Sequence, residues 1–403
     1  MNVLMLTHRL PYAPNRGDRR RAYYLLRFLA ERHDVHLISL VHDADEAARA
    51  LEMSALVRNV SIVRRRRVGT LAAAAMGLIG DTPLTHLLLD SPALPSTIEA
   101  VTRRFRPDVV LAYCSGLARL ALEPPLRDIP LVLDLVDVDS GKWHDYAARS
   151  RPPLSWIYSR EARVLGAFEA RAARAASATL VVNHRERDAL AALAPDANAI
   201  VVPNGIDVEL LRSPRPPSSA ERVLFCGVMD YRPNREGAEW LLTHVWPRVR
   251  SRRPDASLVI AGTAPGSSLR RRAHKAGQVT VTGHVDDIRP QYWEAAVFVA
   301  PLHLARGVQN KVLDAVAAGV PAVVTTAVAR GLPAAIMPAC TIADDPSGFA
   351  DAVCSLLERG AEERRALADR ADLTAMSWAQ RLAPLEPLLE RARTRRFARS
   401  EID

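Results

Sequence analysis

Lysine is almost missing from this sequence. Only Lys142, Lys275 and Lys311 stand among 54 basic residues, and the rest are Arg. A lysine inside a motif is therefore less apt to be there by chance. Cysteine is scarce as well. Cys114, Cys226, Cys340 and Cys354 lie far apart and form no C-x-x-C, which argues against a disulfide framework or a structural zinc and suits a reducing compartment. No apolar run approaches the ~18 residues of a membrane-spanning helix. The opening Met1-Asn-Val-Leu-Met-Leu-Thr7 lacks a basic n-region and a small-residue cleavage site, so it reads as a first strand rather than a signal peptide. A cytoplasmic protein is expected. A G-x-G-x-x-G is absent after both candidate first strands, Val3–Leu6 and Val223–Cys226, which leaves a dinucleotide cofactor unsupported.

What is present suits a folded two-domain protein. The chain has 403 residues, 49% hydrophobic and 25% charged, enough for two domains of about 150–200 residues. The net charge of +9 is spread over both halves, which argues against a dedicated nucleic-acid domain. Short runs rich in Val, Ile and Leu alternate with helical patterns. The runs are Val3–Leu6, Val35–Val41, Val60–Val63, Val109–Tyr113, Leu131–Val136, Thr179–Val182 and Ile200–Val202, then Val223–Cys226, Leu258–Ala261, Val279–Thr282, Val297–Ala300 and Ala322–Thr325. Runs this short and this apolar are strands buried on both faces. Between them fall helices such as Arg19–Glu31, Ser91–Phe105, Ile157–Ala175, Gly237–Arg250 and Lys311–Ala318. The alternation implies doubly wound parallel sheets.

The Pro- and Ser-rich segment 211–221 reads as a linker. It divides a first Rossmann-like domain, 1–210, from a second, 222–376, with a ligand cleft expected between them. The leucine stripe of a C-terminal helix within 377–396 suits either a return to the first domain or a cap on the second. In such sheets ligands lie beyond the carboxyl ends of strands, so residues just after strands are the candidates.

The most informative stretch is Arg306-Gly-Val-Gln-Asn-Lys-Val-Leu-Asp-Ala-Val-Ala-Ala-Gly-Val-Pro321. It is a loop followed by a helix from about Asn310, ended by Gly319 and Pro321. Backbone N–H groups at a helix N-terminus suit a phosphate or diphosphate. Lys311 puts a cation where a helix alone prefers an acid, and Asp314, a turn further in, suits a ribose diol. The alternative is a plain βα unit with Lys311 and Asp314 as a surface pair. This stretch resembles the donor-binding loop and helix of family 4 glycosyltransferases, which have the GT-B fold. Their pattern is Glu-x7-Glu followed by Ala-Met-Ala-x-Gly-x-Pro; here Arg306 stands for the first Glu and Asp314 for the second. The amides of Val308, Gln309 and Asn310 remain able to hold a diphosphate.

Further segments carry the same resemblance in the same order. Val201-Val-Pro-Asn-Gly-Ile-Asp207, Leu224-Phe-Cys-Gly227, Leu258-Val-Ile-Ala-Gly262 and Thr282-Gly-His-Val-Asp-Asp-Ile288 are similar to family segments, the last bordering the donor base at Val285. Three more stretches, His8–Arg19, Asp137–Trp143 with Tyr146, and Met229–Asn234, resemble the sugar transferases associated with exopolysaccharide loci and PEP-CTERM/exosortase systems. Gly17 permits a close diphosphate approach before the first helix, or marks a simple turn. Arg232 is the cation carried over to the leaving diphosphate.

Asp137 and Asp139 follow the Leu131–Val136 strand. They suit a metal-binding D-x-D, a catalytic carboxylate that meets the acceptor hydroxyl, or a cap for the next helix. Arg64, Arg65, Arg66 and Arg67 precede the uncharged run Val68–Gly80, which suits contact with an anionic membrane face or a solvated charge run. The resemblance implies a retaining transferase that moves a sugar from a nucleotide-sugar to a glycan or polyprenyl-linked acceptor in cell-surface polysaccharide synthesis, with no metal and no other cofactor. A nucleotide-sugar isomerase and a non-catalytic assembly partner are the rival readings.

Overall fold

Every strand of the computed structural model lies parallel to its sheet neighbours. The structure describes residues 1–12, 17–65, 80–305 and 307–400, without the side chains of 17–18 and 395–400. Arg66, Arg67, Arg306 and most of the 68–80 run therefore lie outside the described residues.

Two compact units form. The first comprises Met1–Pro203 and Arg381–Asp403. Its strands are β1 (Asn2–Thr7), β2 (Asp34–Val41), β3 (Asn59–Arg64), β4 (Val109–Tyr113), β5 (Leu131–Val136), β6 (Ala178–Val181) and β7 (Ala199–Val201). Their order is β3-β2-β1-β4-β5-β6-β7. The second unit is Asn204–Gln380. It holds β8 (Arg222–Cys226), β9 (Ser257–Ala261), β10 (Val279–Gly283), β11 (Val297–Ala300), β12 (Ala322–Val324) and β13 (Cys340–Ile342), ordered β10-β9-β8-β11-β12-β13. Both orders reverse beside the first strand of the unit, between β1 and β4 and between β8 and β11, and this switch point is where doubly wound sheets bind ligands.

The strands are apolar because helices cover both faces, and each sheet is the centre of its own core cluster. Each expected strand has a counterpart within a residue or two. The three-residue β13 has no counterpart among the expected runs, because Cys-Thr-Ile gives too little pattern to detect. The helix expected at Gly237–Arg250 begins earlier, as Arg232–Trp240 with Pro233 in its first turn, and continues through a π-turn at Leu241–Val245 into Trp246–Arg252.

The C-terminal helical stretch breaks at Pro384 into Trp378–Leu382 and Leu385–Ser400. Leu382, Leu385, Leu388 and Leu389 are buried, and the longer piece packs on β4 and β5 of the first unit. Within the second unit its two boundary segments run side by side: Ile206 N–H donates to the Met376 carbonyl at 2.7 Å, and Gly205 presses on the Trp378 backbone. The Pro-rich stretch belongs to the second unit, where buried Arg364 donates to the Ser218 carbonyl at 2.8 Å.

Candidate functional site

In the first unit, two adjacent strands end in strained backbone. Cys114, just after β4, has φ +61°, and Val136, closing β5, has φ +66°. A β-branched residue at positive φ is rare. Here Asp137 N–H donates to the Leu135 carbonyl at 2.8 Å, closing a tight three-residue turn around Val136. Strain of this kind costs about 1–3 kcal/mol and gathers at functional sites. The turn brings Asp137 to the carboxyl end of the sheet.

Behind it sits an ion pair with no solvent exposure: Arg21 Nε donates to Asp134 Oδ2 at 2.8 Å, and Arg21 Nη1 donates to the Val202 carbonyl at 2.8 Å. These bonds tie the helix Gly17–Ala30, β5 and the chain after β7 together. Gly17 is the first residue of that helix.

The helix Asp139–Ala148 begins two residues after Asp137, with Val138 at its cap position, and neither Asp caps it. Its start is held from other helices. Glu186, at the start of the helix His184–Leu193, accepts from Val138 N–H at 2.8 Å. Glu169, on the helix Leu154–Ala175, accepts from the Ser140 amide and hydroxyl. Both glutamates are fully buried. The capping role considered for Asp137 and Asp139 is thus filled by two residues that sequence reasoning did not single out. The only local signal was Asn183-x-x-Glu186, which reads as a capping box for its own helix; Asn183 indeed accepts from Glu186 N–H at 2.9 Å.

Asp139 instead pairs with Lys142 at 2.6 Å. Asp137 is half-buried, and its Oδ1 is buried with no hydrogen-bond partner among the described residues. Burial pushes its carboxyl up to about 7, helped by the charges of Glu186 and Asp139 and opposed by Lys142 and Arg21. Burial, and then Asp139, lift Glu169 to about 8. Carboxyls displaced this far mark candidate functional sites. No group of three His, Cys, Asp or Glu that could hold a metal ion occurs among the described residues.

At β3, Arg64 is exposed while Arg65 turns partly inward beside His42. Arg65 Nε is buried with no hydrogen-bond partner among the described residues. The basic run is thus not a uniform outward row. The sequence could not show this, because the chain leaves β3 exactly there.

In the second unit, the helix Asn310–Ala317 starts after the β11 loop with Gln309 at its cap position and no capping side chain. Lys311 Nζ donates to Asn234 Oδ1 at 2.6 Å and lies 4.9 Å from the Phe225 ring centroid. Asn234 Nδ2 donates in turn to the Val228 carbonyl at 2.9 Å. Burial pushes the Lys311 ammonium down to about 8. Gly227 leaves room for both side chains: a Cβ there would lie 2.7 Å from Asn234 Nδ2 and 3.0 Å from Lys311 Nζ. Gly262, at φ +139°, is needed for close approach, since its Cβ would fall 1.8 Å from the Gly227 carbonyl oxygen.

The ends of β8 and β9, one cation and one helix start therefore converge. Lys311 and Asn234 are brought together, with Val308, Gln309 and Asn310 in the same loop, and Asn310 Oδ1 accepts from Asn204 at 3.0 Å. Asp314 is only 4% exposed. Arg232 opens its helix and pairs with Glu236 at 2.6 Å. Val285 is half-buried in the loop after Gly283.

Two parallel doubly wound units, of seven and six strands, fit the GT-B fold of glycosyltransferases. Two family models match this chain, Glycosyltransferase Family 4 over residues 16–210 and Glycosyl transferases group 1 over residues 220–359. The chain belongs to these glycosyltransferases and is a transferase. Among solved structures it is similar to sucrose-phosphate synthase of Thermosynechococcus elongatus, at TM-score 0.70 and 15% identity over 97% of this chain and 98% of that one. It is similar also to HepE of Anabaena in complex with UDP, at TM-score 0.66 and 15% identity over 97% and 100%. A third is WaaG, a glycosyltransferase involved in lipopolysaccharide biosynthesis, at TM-score 0.64 and 15% identity over 96% and 98%. No curated protein matches the sequence.

Proposed function

We propose that this transferase moves a sugar from a nucleotide-sugar donor to a glycan or lipid-linked acceptor in exopolysaccharide or other cell-surface polysaccharide synthesis, retaining the anomeric configuration and needing no metal. The second unit takes the donor and the first the acceptor. The observation that carries the reading is Lys311, one of three lysines in the chain, held by Asn234 at an uncapped helix start. A cation kept against its burial penalty has a purpose when a diphosphate arrives. Together with aimed backbone amides it stabilises the leaving diphosphate without reorganisation. In the first unit Asp137 is the carboxyl that meets the acceptor hydroxyl. HepE is complexed with UDP and with UDP-glucose, so UDP-sugars head the donors to test. Contact of the Arg64–Arg67 region with anionic lipid belongs to the same reading.

A thermal-shift screen against UDP, GDP, ADP and dTDP and their sugars tests it. A ligand that binds only the folded state stabilises by about 2.7 kcal/mol at 100 times its Kd. A hit fixes the donor class. Well-folded protein that responds to no nucleotide would overturn the reading.

A further inference from the structure

Four basic side chains meet where β1, β2 and β3 end. Arg9 follows β1, His42 follows β2, Arg65 follows β3, and Arg19 stands in the first turn of the helix Gly17–Ala30. Buried Glu46 ties three of them together. Its Oε1 accepts from Arg19 Nη2 at 2.7 Å and lies 3.8 Å from Arg9 Nε. Its Oε2 accepts from the His42 amide at 2.6 Å. His42 Nε2 donates to the His8 carbonyl at 2.9 Å, which leaves Nδ1 to accept from Arg9 Nη2 at 3.4 Å. Burial pushes the His42 imidazole below its usual range, and the charges of Arg9 and Arg65 add to this.

Arg65 completes the group from the third strand. Its amide donates to the Val41 carbonyl at 3.0 Å, so the β2–β3 pairing runs one residue past β3 and sets Arg65 beside His42. Strand alternation turns Arg64 outward and Arg65 inward. Arg65 Nε is then a buried cationic donor that meets no acceptor among the described residues. Such burial is costly, and an anion oxygen at that atom removes the cost. Arg9, His42 and Arg65 are half-buried rather than sealed, so a ligand can reach them. The carboxyl ends of these strands are also where a sheet of this kind binds ligands.

We propose that Arg9, Arg19 and Arg65 form a phosphate subsite at the ends of β1, β2 and β3, and that it takes the phosphate or diphosphate group of the acceptor. The inference rests on the reading of the first unit as the acceptor side. Guanidinium groups match phosphate oxygens in pairs. A phosphate offers three such oxygens to donors arriving from separate elements, where a carboxylate offers two. Arg19 is stacked on the Tyr12 ring at 4.2 Å, which fixes its plane, and its helix start favours an anion.

The test is calorimetric titration of the full chain with inorganic pyrophosphate. The donor site of the second unit also suits a diphosphate, so Lys311→Met serves as the background. Binding should persist there, and adding Arg65→Gln should weaken it about 10- to 150-fold. Without pyrophosphate, Arg65→Gln should melt no lower than its parent, whereas a merely structural arginine would be missed. Arg9→Gln takes its place should Arg65→Gln fail to fold. Binding that Lys311→Met abolishes, or that Arg65→Gln leaves unchanged, overturns the subsite, and the first result leaves the donor reading intact. Arg65-dependent pyrophosphate binding in a protein that takes no nucleotide keeps the subsite and removes the donor reading. Farnesyl diphosphate and glucose 1-phosphate separate the sources. Binding about tenfold tighter than pyrophosphate assigns a lipid-linked group in the first case and a sugar phosphate in the second. Equal binding of all three shows an adventitious ion only and overturns the acceptor assignment. Glucuronate that binds where pyrophosphate does not overturns phosphate as the class.

Discussion

Replacing Lys311 by Met separates what the cation costs the fold from what it contributes to binding. In the unliganded protein, burial lowers the ammonium from 10.5 to about 8, a penalty on the charged form of about 3 kcal/mol. Met fills similar space without charge. It also strands Asn234 Oδ1, which now accepts from Lys311 at 2.6 Å, at a cost of about 1–3 kcal/mol. The net expectation at pH 7 is an unliganded variant about 0–2 kcal/mol more stable than the wild type. At about 2–4 °C per kcal/mol for a domain of this size, the second unit should melt up to ~8 °C higher.

The pH dependence has a definite sign. The folded pKa lies below the unfolded one, so the penalty is complete below pH 8. It fades between 8 and 10.5, as the native state sheds a proton that the unfolded chain keeps. The advantage of Met should vanish across that window. Binding moves the other way: losing a charge-assisted contact to a diphosphate costs about 1.5–3 kcal/mol, about 10- to 150-fold in Kd. Thermal unfolding from pH 6 to 10, with calorimetry against UDP or the nucleoside diphosphate found in the screen, measures both. A variant less stable than wild type at pH 7 that still binds nucleotide unchanged would refute the account.

Other expectations are simpler. Arg21→Met leaves Asp134 buried and uncompensated and should destabilise the first unit by about 3–5 kcal/mol, read from urea melts; a loss below 1 kcal/mol would contradict the buried pair. Gly262→Ala drives a methyl into the Gly227 carbonyl and should cost at least ~2 kcal/mol along with nucleotide binding, whereas Gly266→Ala, which meets nothing within 4 Å, should leave binding unchanged. His86 is held neutral down to about 4 by burial and by Arg119 and Arg171. The native state should therefore lose stability as pH falls from 6.5 to 4, and His86→Leu should flatten that slope in acid melts.

The strands were legible because a sheet covered on both faces needs continuous apolar runs, and Val109–Tyr113 or Leu131–Val136 can hardly be anything else. Lys311 was legible for a different reason: in a chain that uses Arg almost exclusively, an ammonium at a helix start stands out. Asn234 as its partner was only half visible, as a residue in the right loop. Glu169 and Glu186 were not visible, because they reach the start of the Asp139–Ala148 helix from helices later in the chain. Distance in space is what sequence spacing does not carry. The inward turn of Arg65 was hidden likewise: four successive arginines look alike until the backbone leaves the sheet.

The chain leaves the first unit after Pro203 and re-enters it at Arg381, and this has a consequence for biosynthesis. Residues 204–380 form an uninterrupted unit that can fold as soon as it has left the ribosome. The earlier-made first unit must wait for the last helix, whose Leu385, Leu388 and Leu389 cover β4 and β5. Synthesis thus completes the second-encoded unit before the first, and leaves an apolar sheet face in need of shelter until this last helix has been made. A chain cut at 380 would be a finished second unit attached to an unfinished first.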